Sequence, residues 1–407
     1  FATRGLQQTQ CLKIIGYFSV SVETHLLERL VTYAKIDTQS KKESGSCPST
    51  EKQKYLRDVL YHELTGLGLE ASRDDYGAVY AKLSGNHTGA EKVGFVAHMD
   101  TSPDAPGGQV QPKIHEDYRG GDILLEDGVK IAEEELRDHI GDTLITSDGT
   151  TLLGADDKAG ISVIMTAVER IVHEWGKRHG DIYLMFNPDE EVGEGTTHFD
   201  PVKFPVDAAY TLDGIGEGLI ECETFYASKA KVTFRGQPTH PGEYGYQTLV
   251  NPVSLACEYE TSIPSTQRPE TTRKGYGFFY PMEITGEPTK ATLTVLIRDF
   301  DRKELERKKE FLTGLAAPYN STYGEGTVII ESQDQYPNMK ESLDTKPEVL
   351  DTAVQAMREA GVEPAFKKIR GGTDGASLTV DYGILTPNIS AGMHNVHSVK
   401  EFASLKE

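Results

Sequence analysis

Residues 181–195 read DIYLMFNPDEEVGEG. From Ile182 to Phe186 the stretch is apolar without a break. A strand with one wet face alternates apolar and polar residues, so an unbroken run marks a strand covered on both sides, as in parallel sheets sandwiched between helices. The second half sets two adjacent carboxylates, Glu190 and Glu191, at the mouth of that strand. Neighbouring carboxylates repel each other and resist leaving water. The fold must therefore bring positive charge to this point, from something other than a side chain.

Working outward, GAVYAKL (77–83), VGFVAH (93–98), AAYTL (208–212) and the region of ILTPNIS (384–390) read as further strands of the same kind. Helices alternate with them. Residues 21–34 carry Leu26, Leu27 and Leu30 on one side, and Thr50 with Gln53 forms a capping box for a helix presenting Leu56, Leu60, Leu64 and Leu67. In TLLGADDKAGISVIMTAVERIVHEW (151–175), the residues Ile161, Ile164, Met165, Val168, Ile171, Val172 and Trp175 keep helical spacing. A last helix covers 348–360 and ends at Gly361. This alternation predicts an α/β fold, a doubly wound and largely parallel sheet.

Near residue 225 the texture changes. KAKVTF (229–234) is a short strand, and a helix starts near Asn251 with Pro252 in its first turn. ATLTVLIRDFD (291–301) sets Leu293, Val295 and Ile297 against Thr292, Thr294 and Arg298, the period of a half-exposed strand. A charged amphipathic helix and the strand TVIIES (327–332) follow. Strand–helix–strand–strand–helix–strand predicts an inserted ferredoxin-like α+β domain over 225–332. The sheet domain is then discontinuous, 21–224 with 333–407, and residues 1–20 form a leader that fits neither pattern.

The chain has 407 residues, enough for two cores, and a formal charge of −21. Such acidity excludes nucleic acid and anionic membrane as partners, since both need basic patches. Cys11, Cys47, Cys222 and Cys257 are scattered and read as free thiols of a reducing compartment, which points to the cytoplasm. No apolar run has the length of a membrane span.

Open parallel sheets bind ligands beyond the carboxyl ends of their strands. That rule gathers His98 after VGFVAH, Glu190 and Glu191 after DIYLMF, Asp213 after AAYTL and His397 after the last strand, with Asp156 in the loop that opens the Ile161 helix. Taken singly, each has a plain explanation: a hydrogen-bonded turn, a helix cap, a solvated loop. Together they place a metal-ligand type at every strand end. Two imidazoles and three carboxylates suit two cations if Asp156 bridges them, leaving an open position as catalytic sites require. Zinc fits this mixed set first, with manganese or cobalt as substitutes. Asp100 stands where it can orient the His98 ring. Glu191 is then neutralised by coordination, and Glu190 is left as a general base for water.

At these residues the sequence resembles a known family. HMDTSPD (98–104), TLLGADDKAG (151–160), NPDEEVG (187–193), TLDG (211–214), THPG (239–242), IRDFDR (297–302), IRGGTDGA (369–376) and HSVKEF (397–402) are similar to the peptidase T family of two-metal peptidases and deacylases. The resemblance runs in order from about Leu26 to Phe402. It implies two zinc ions, one held by His98, Asp156 and Asp213, the other by Glu191, Asp156 and His397, with Glu190 as proton acceptor and Asp100 as the accompanying active-site Asp. It implies release of the N-terminal residue from tripeptides, the rival activities being those of a deacylase, dipeptidase or carboxypeptidase of the same family. More remote is a non-catalytic relative that binds peptide or metal, and the presence of Glu190 and every ligand speaks against it. The insert becomes a lid, with His240 toward the scissile carbonyl, Arg298 or Arg370 for the peptide carboxylate, and a homodimer as in related enzymes. The family pattern has no counterpart to the leader, and it continues past HSVKEF into a closing helix for which Ser404 would be the cap.

Overall fold

The computed structural model describes residues 21–173 and 178–407. The leader over 1–20 and Trp175 lie outside the described residues. Two compact units emerge, one holding the described residues up to Glu221 with Ser342–Lys367 and Thr373–Glu407, the other Cys222–Glu341 with Lys368–Gly372.

In the larger unit, eleven strands among the described residues form one sheet. Its centre is parallel: Ile182–Asn187, Val93–His98, Ala208–Ile215 and Asn388–His394 lie side by side in that order. The flanks are antiparallel, with Val79–Leu83 and Glu70–Arg73 on one side and Phe402–Ser404, Leu144–Thr146 and Lys113–His115 on the other. The unbroken apolar run explains the placing of Ile182–Asn187. Leu184 and Phe186 pack with Leu56, Leu60, Leu64 and Ile161 in one core, while Tyr183 and Met185 pack with Phe199 and Phe204 in another. Side chains alternate across a strand, so both faces are dry only if every residue is apolar.

The helix Ala155–His173 lies against the central strands, and one residue sets how closely. A Cβ at Gly160 would fall 2.0 Å from the carbonyl oxygen of Leu212. Only glycine lets the helix start approach the strand Ala208–Ile215 this far, and that approach brings Asp156 toward Asp213.

The helix presenting Leu56, Leu60 and Leu64 spans Gln53–Gly66, but the expected capping box is not formed. Thr50 Oγ1 donates to the Gln39 carbonyl, and the Gln53 amide donates to Asp189 Oδ1 at 2.7 Å. The Gln53 amide oxygen, which a capping box would turn to the Thr50 N–H, accepts the Asp189 N–H at 3.2 Å instead, so both ends of the amide serve the long-range partner. A second correction concerns the end of the chain. Phe402–Ser404 is a strand, paired antiparallel with Asn388–His394, so the strand before His397 is followed by another; Ser404 donates its hydroxyl to Asp142 and accepts the Glu407 N–H, three residues on, as an N-cap does.

The smaller unit is ferredoxin-like. Tyr226–Arg235, Phe278–Glu287, Lys290–Asp299 and Val328–Tyr336 form an antiparallel sheet, with Lys290–Asp299 and Tyr226–Arg235 at its centre. The helices Pro252–Thr261 and Arg302–Tyr323 pack on it around Leu293, Val295, Ile297, Tyr259 and Leu312. Asn251 caps the first helix as its position before Pro252 predicts. No helix of the described residues is long and apolar enough to cross a membrane.

Candidate metal centre

Parallel pairing sets His98 beside Asn187, so the turn after Asn187 starts level with His98. Asp189 opens that turn in the left-handed region, φ 63°, with its buried carboxylate held by the backbone N–H and hydroxyl of Ser49 and by Gln53. Asp100 then fixes the next two residues. Its Oδ1 accepts the Glu190 N–H at 3.0 Å and its Oδ2 the Glu191 N–H at 3.2 Å. Asp100 is fully buried, and its backbone carbonyl accepts the Nδ1–H of His98 at 3.1 Å. That bond selects the ring tautomer and turns the Nε2 lone pair inward.

What Nε2 meets is negative. It lies 2.9 Å from Asp156 Oδ1 and 3.5 Å from Asp213 Oδ1. The other oxygen of Asp156, Oδ2, lies 3.3 Å from His397 Nε2, which is also 2.9 Å from Glu191 Oε2. Asp156 thus turns one oxygen to each imidazole, the posture of a bridging ligand. Glu191 Oε1 is buried with no hydrogen-bond partner. An orphaned carboxylate oxygen beside two converging imidazole nitrogens is a place suited to a cation. The ligand atoms of His98, Asp156 and Glu191, and those of His98, Asp157 and Asp213, each lie within 4.8 Å of one another.

The electrostatics carry the same message. Burial works against a charged His98, but hydrogen bonds to Asp100, Asp156 and Asp213 outweigh it and hold its pKa well above the usual imidazole range. Hydrogen bonds to Asp156 and Glu191 push His397 up to about 11. Burial and the charge of Asp156 push Asp213 up to about 8. Burial likewise drives Glu190 well above its ordinary range; His98 opposes the shift, while Asp213, Asp374 and Glu191 add to it. Where acceptors face acceptors, positive charge has to lie between them, as protons or as metal cations.

The seven residues expected at this edge, His98, Asp100, Asp156, Glu190, Glu191, Asp213 and His397, are gathered in one place. His240, Arg298 and Arg370 belong to the smaller unit. His240 caps the helix Pro241–Thr248, its Nδ1 accepting the Glu243 N–H, which leaves the ring proton on Nε2. Arg298 donates to the carbonyls of Ser228 and Ile297 and lies over the Tyr336 ring. Neighbouring Asp299 pairs with Lys308, and Asp301 caps the helix Arg302–Tyr323. Arg370 donates to the carbonyls of Lys274 and Tyr276 and to Thr272 Oγ1.

Sequence reasoning missed the residues that hold the ligands in place. The carboxylate of Glu401, 1% exposed, accepts the N–H groups of Leu153 and Gly154 on Oε2 and of Asp156 on Oε1. Burial pushes it up to about 7. Asn187 donates to buried Asp374. Glu401 lies inside the HSVKEF stretch, but nothing local says that its partner is a loop some 250 positions earlier.

Comparison with known proteins gives the family. Residues 143–407 match the model of Peptidase family M20/M25/M40. The chain is 44% identical over 383 residues to a peptidase T of Clostridium perfringens, covering 93% of this chain and 94% of the relative. The chain belongs to the peptidase T family. As a peptidase T family member it is a hydrolase, a metallo-exopeptidase. The fold of the peptidase T family is evident as well in two solved structures. An aminopeptidase PepT from Bacillus cereus superposes with a TM-score of 0.71 at 22% identity, and a tripeptidase from Staphylococcus aureus with 0.72 at 20%, each match covering 94% of both chains.

Proposed function

We propose that this chain is a di-zinc tripeptide aminopeptidase of the cytoplasm. One observation carries the reading: the two oxygens of Asp156 face two different imidazoles, His98 and His397. In this reading His98, Asp156 and Asp213 hold one ion, and Glu191, Asp156 and His397 the other. Bound ions would polarise the scissile carbonyl and lower the pKa of the attacking water to about 7.

Glu190 is the proton carrier. It stays out of the ligand set because Asp100 grips its backbone and that of Glu191, so the two carboxylates leave the turn toward different tasks. Burial and neighbouring carboxylates raise its proton affinity. A carboxylate so placed takes the proton of the attacking water and returns it to the leaving amine. His240, Arg298 and Arg370 are carried as substrate-binding residues on the family resemblance, as are the lid role of the smaller unit and a homodimer. The free thiols of Cys47 and Cys257 suit a reducing compartment.

The test is zinc analysis of purified protein followed by product analysis on tripeptides, dipeptides and N-acyl amino acids. Two zinc ions per chain and release of the N-terminal residue from tripeptides are expected. Preferential hydrolysis of the acylated amino acids would give the site to a deacylase instead.

A further inference from the structure

A second cluster of ligand-type side chains lies in the larger unit, among residues the reaction does not use. His139 ends a short 3-10 turn, Arg137–His139; His394 ends the strand Asn388–His394; Glu407 follows the strand Phe402–Ser404. Glu407 turns one oxygen to each ring. Oε1 lies 3.6 Å from His139 Nδ1 and Oε2 2.6 Å from His394 Nε2. The ligand atoms of the trio all fall within 4.8 Å of one another. Their side chains are 6%, 22% and 16% exposed, for His139, His394 and Glu407 in that order.

The surroundings hold this arrangement in place. Phe402 stacks on His394 at 4.6 Å and meets His139 edge-on, while the two imidazoles meet edge to face at 4.8 Å. Glu407 is brought in by the backbone. Leu405 N–H donates to the Thr143 carbonyl, Lys406 N–H to Asp142, and Glu407 N–H to Ser404 Oγ. On the strand side, Gly392 adopts φ 71°, and a Cβ there would stand 2.9 Å from the Ser404 carbonyl and 3.2 Å from Glu407 Cβ. A side chain at this position would push the segment, and Glu407 with it, away from His394.

We propose that His139, His394 and Glu407 form a further site for a divalent cation of zinc type, separate from the His98–His397 centre. Two imidazoles and one carboxylate are a zinc ligand set that leaves a fourth position for water. Zinc–ligand bonds of 2.0–2.1 Å put tetrahedral ligands about 3.3 Å apart, and the ligand atoms of the trio, one from each residue and all within 4.8 Å of one another, need to move by no more than about 1.5 Å to reach that spacing. A hydrogen bond between His394 and Glu407 accounts for one of the two contacts. It does not account for Oε1, which faces His139 beyond hydrogen-bond length. The role follows from position. Between His394 and Phe402 runs the loop that carries His397 and Glu401, so a cation here ties both ends of that loop to the turn at His139. Such an ion joins the two ends of this loop, with one position left to water.

The experiment compares native protein with His394→Gln and with Glu407→Gln, each dialysed against buffered free zinc and analysed for zinc per chain. Turnover of a tripeptide under saturating zinc serves as the check of fold. Native protein is expected to hold one zinc more per chain than either variant, while turnover at saturating zinc is kept. Being a difference, this result does not depend on how many ions the His98–His397 centre takes. Equal zinc in all three proteins would overturn the site. So would a loss of two or more zinc ions together with turnover, because the trio would then be supporting the other centre and not holding an ion. Should His394→Gln fail to fold, Glu407→Gln decides alone, since it changes no strand residue.

Discussion

The carboxylate of Asp100 accepts the backbone N–H of Glu190 at 3.0 Å, across 90 positions of sequence. The same side chain accepts the Glu191 N–H, and the Asp100 carbonyl takes the Nδ1–H of His98. One residue therefore aligns a histidine and two glutamates. Asp100→Asn keeps the shape but turns an NH2 group toward one of the two N–H donors. Supporting partners of this kind typically change metal affinity or activity by roughly 10–100-fold. Zinc titration and kcat/KM on a tripeptide should both fall within that range, and an unchanged variant would remove Asp100 from the site.

Glu190→Gln separates proton transfer from metal binding. Zinc content should stay at the native value while kcat falls by roughly 10²–10⁴-fold, the usual contribution of a general acid–base group. Loss of zinc with retained turnover would make Glu190 a ligand and not the base.

Zinc uptake should release protons. In the metal-free protein His397 is held up to about 11, Asp213 up to about 8 and His98 well above its usual range, so all three carry protons at pH 7. A cation must displace them, and the release is expected to be on the order of two to three protons per chain. The sign follows: affinity for zinc rises as pH is raised and falls in acid. Calorimetry in buffers of different ionisation enthalpy measures the number, and a heat independent of buffer would contradict it.

Glu401→Gln tests the support of Asp156. The carboxylate accepts three backbone N–H groups, and a glutamine presents a donor to at least one of them. A buried donor left without an acceptor costs about 1–3 kcal/mol. The thermal midpoint should drop and zinc should bind more weakly, with Glu190-dependent chemistry intact at saturating metal. A variant as stable as the native protein would show that water replaces the lost acceptor.

Much of this protein is written locally. The apolar run Ile182–Phe186 states that its strand is covered on both faces, because side chains alternate and none is polar. The alternation of Leu293, Val295 and Ile297 with Thr292, Thr294 and Arg298 marks the face that packs in the smaller core, and Asn251 before Pro252 marks a helix start. Strand ends followed by His, Asp or Glu name the candidate ligands, since parallel strands deliver their carboxyl ends to one edge. What the sequence could not determine depends on contacts between distant segments. Gln53 abandons a helix cap for Asp189, and Glu401 reaches back to the loop of Asp156. Hydrogen bonds of buried groups are chosen by whichever partner the packed fold brings within reach, and local propensity carries no record of that choice.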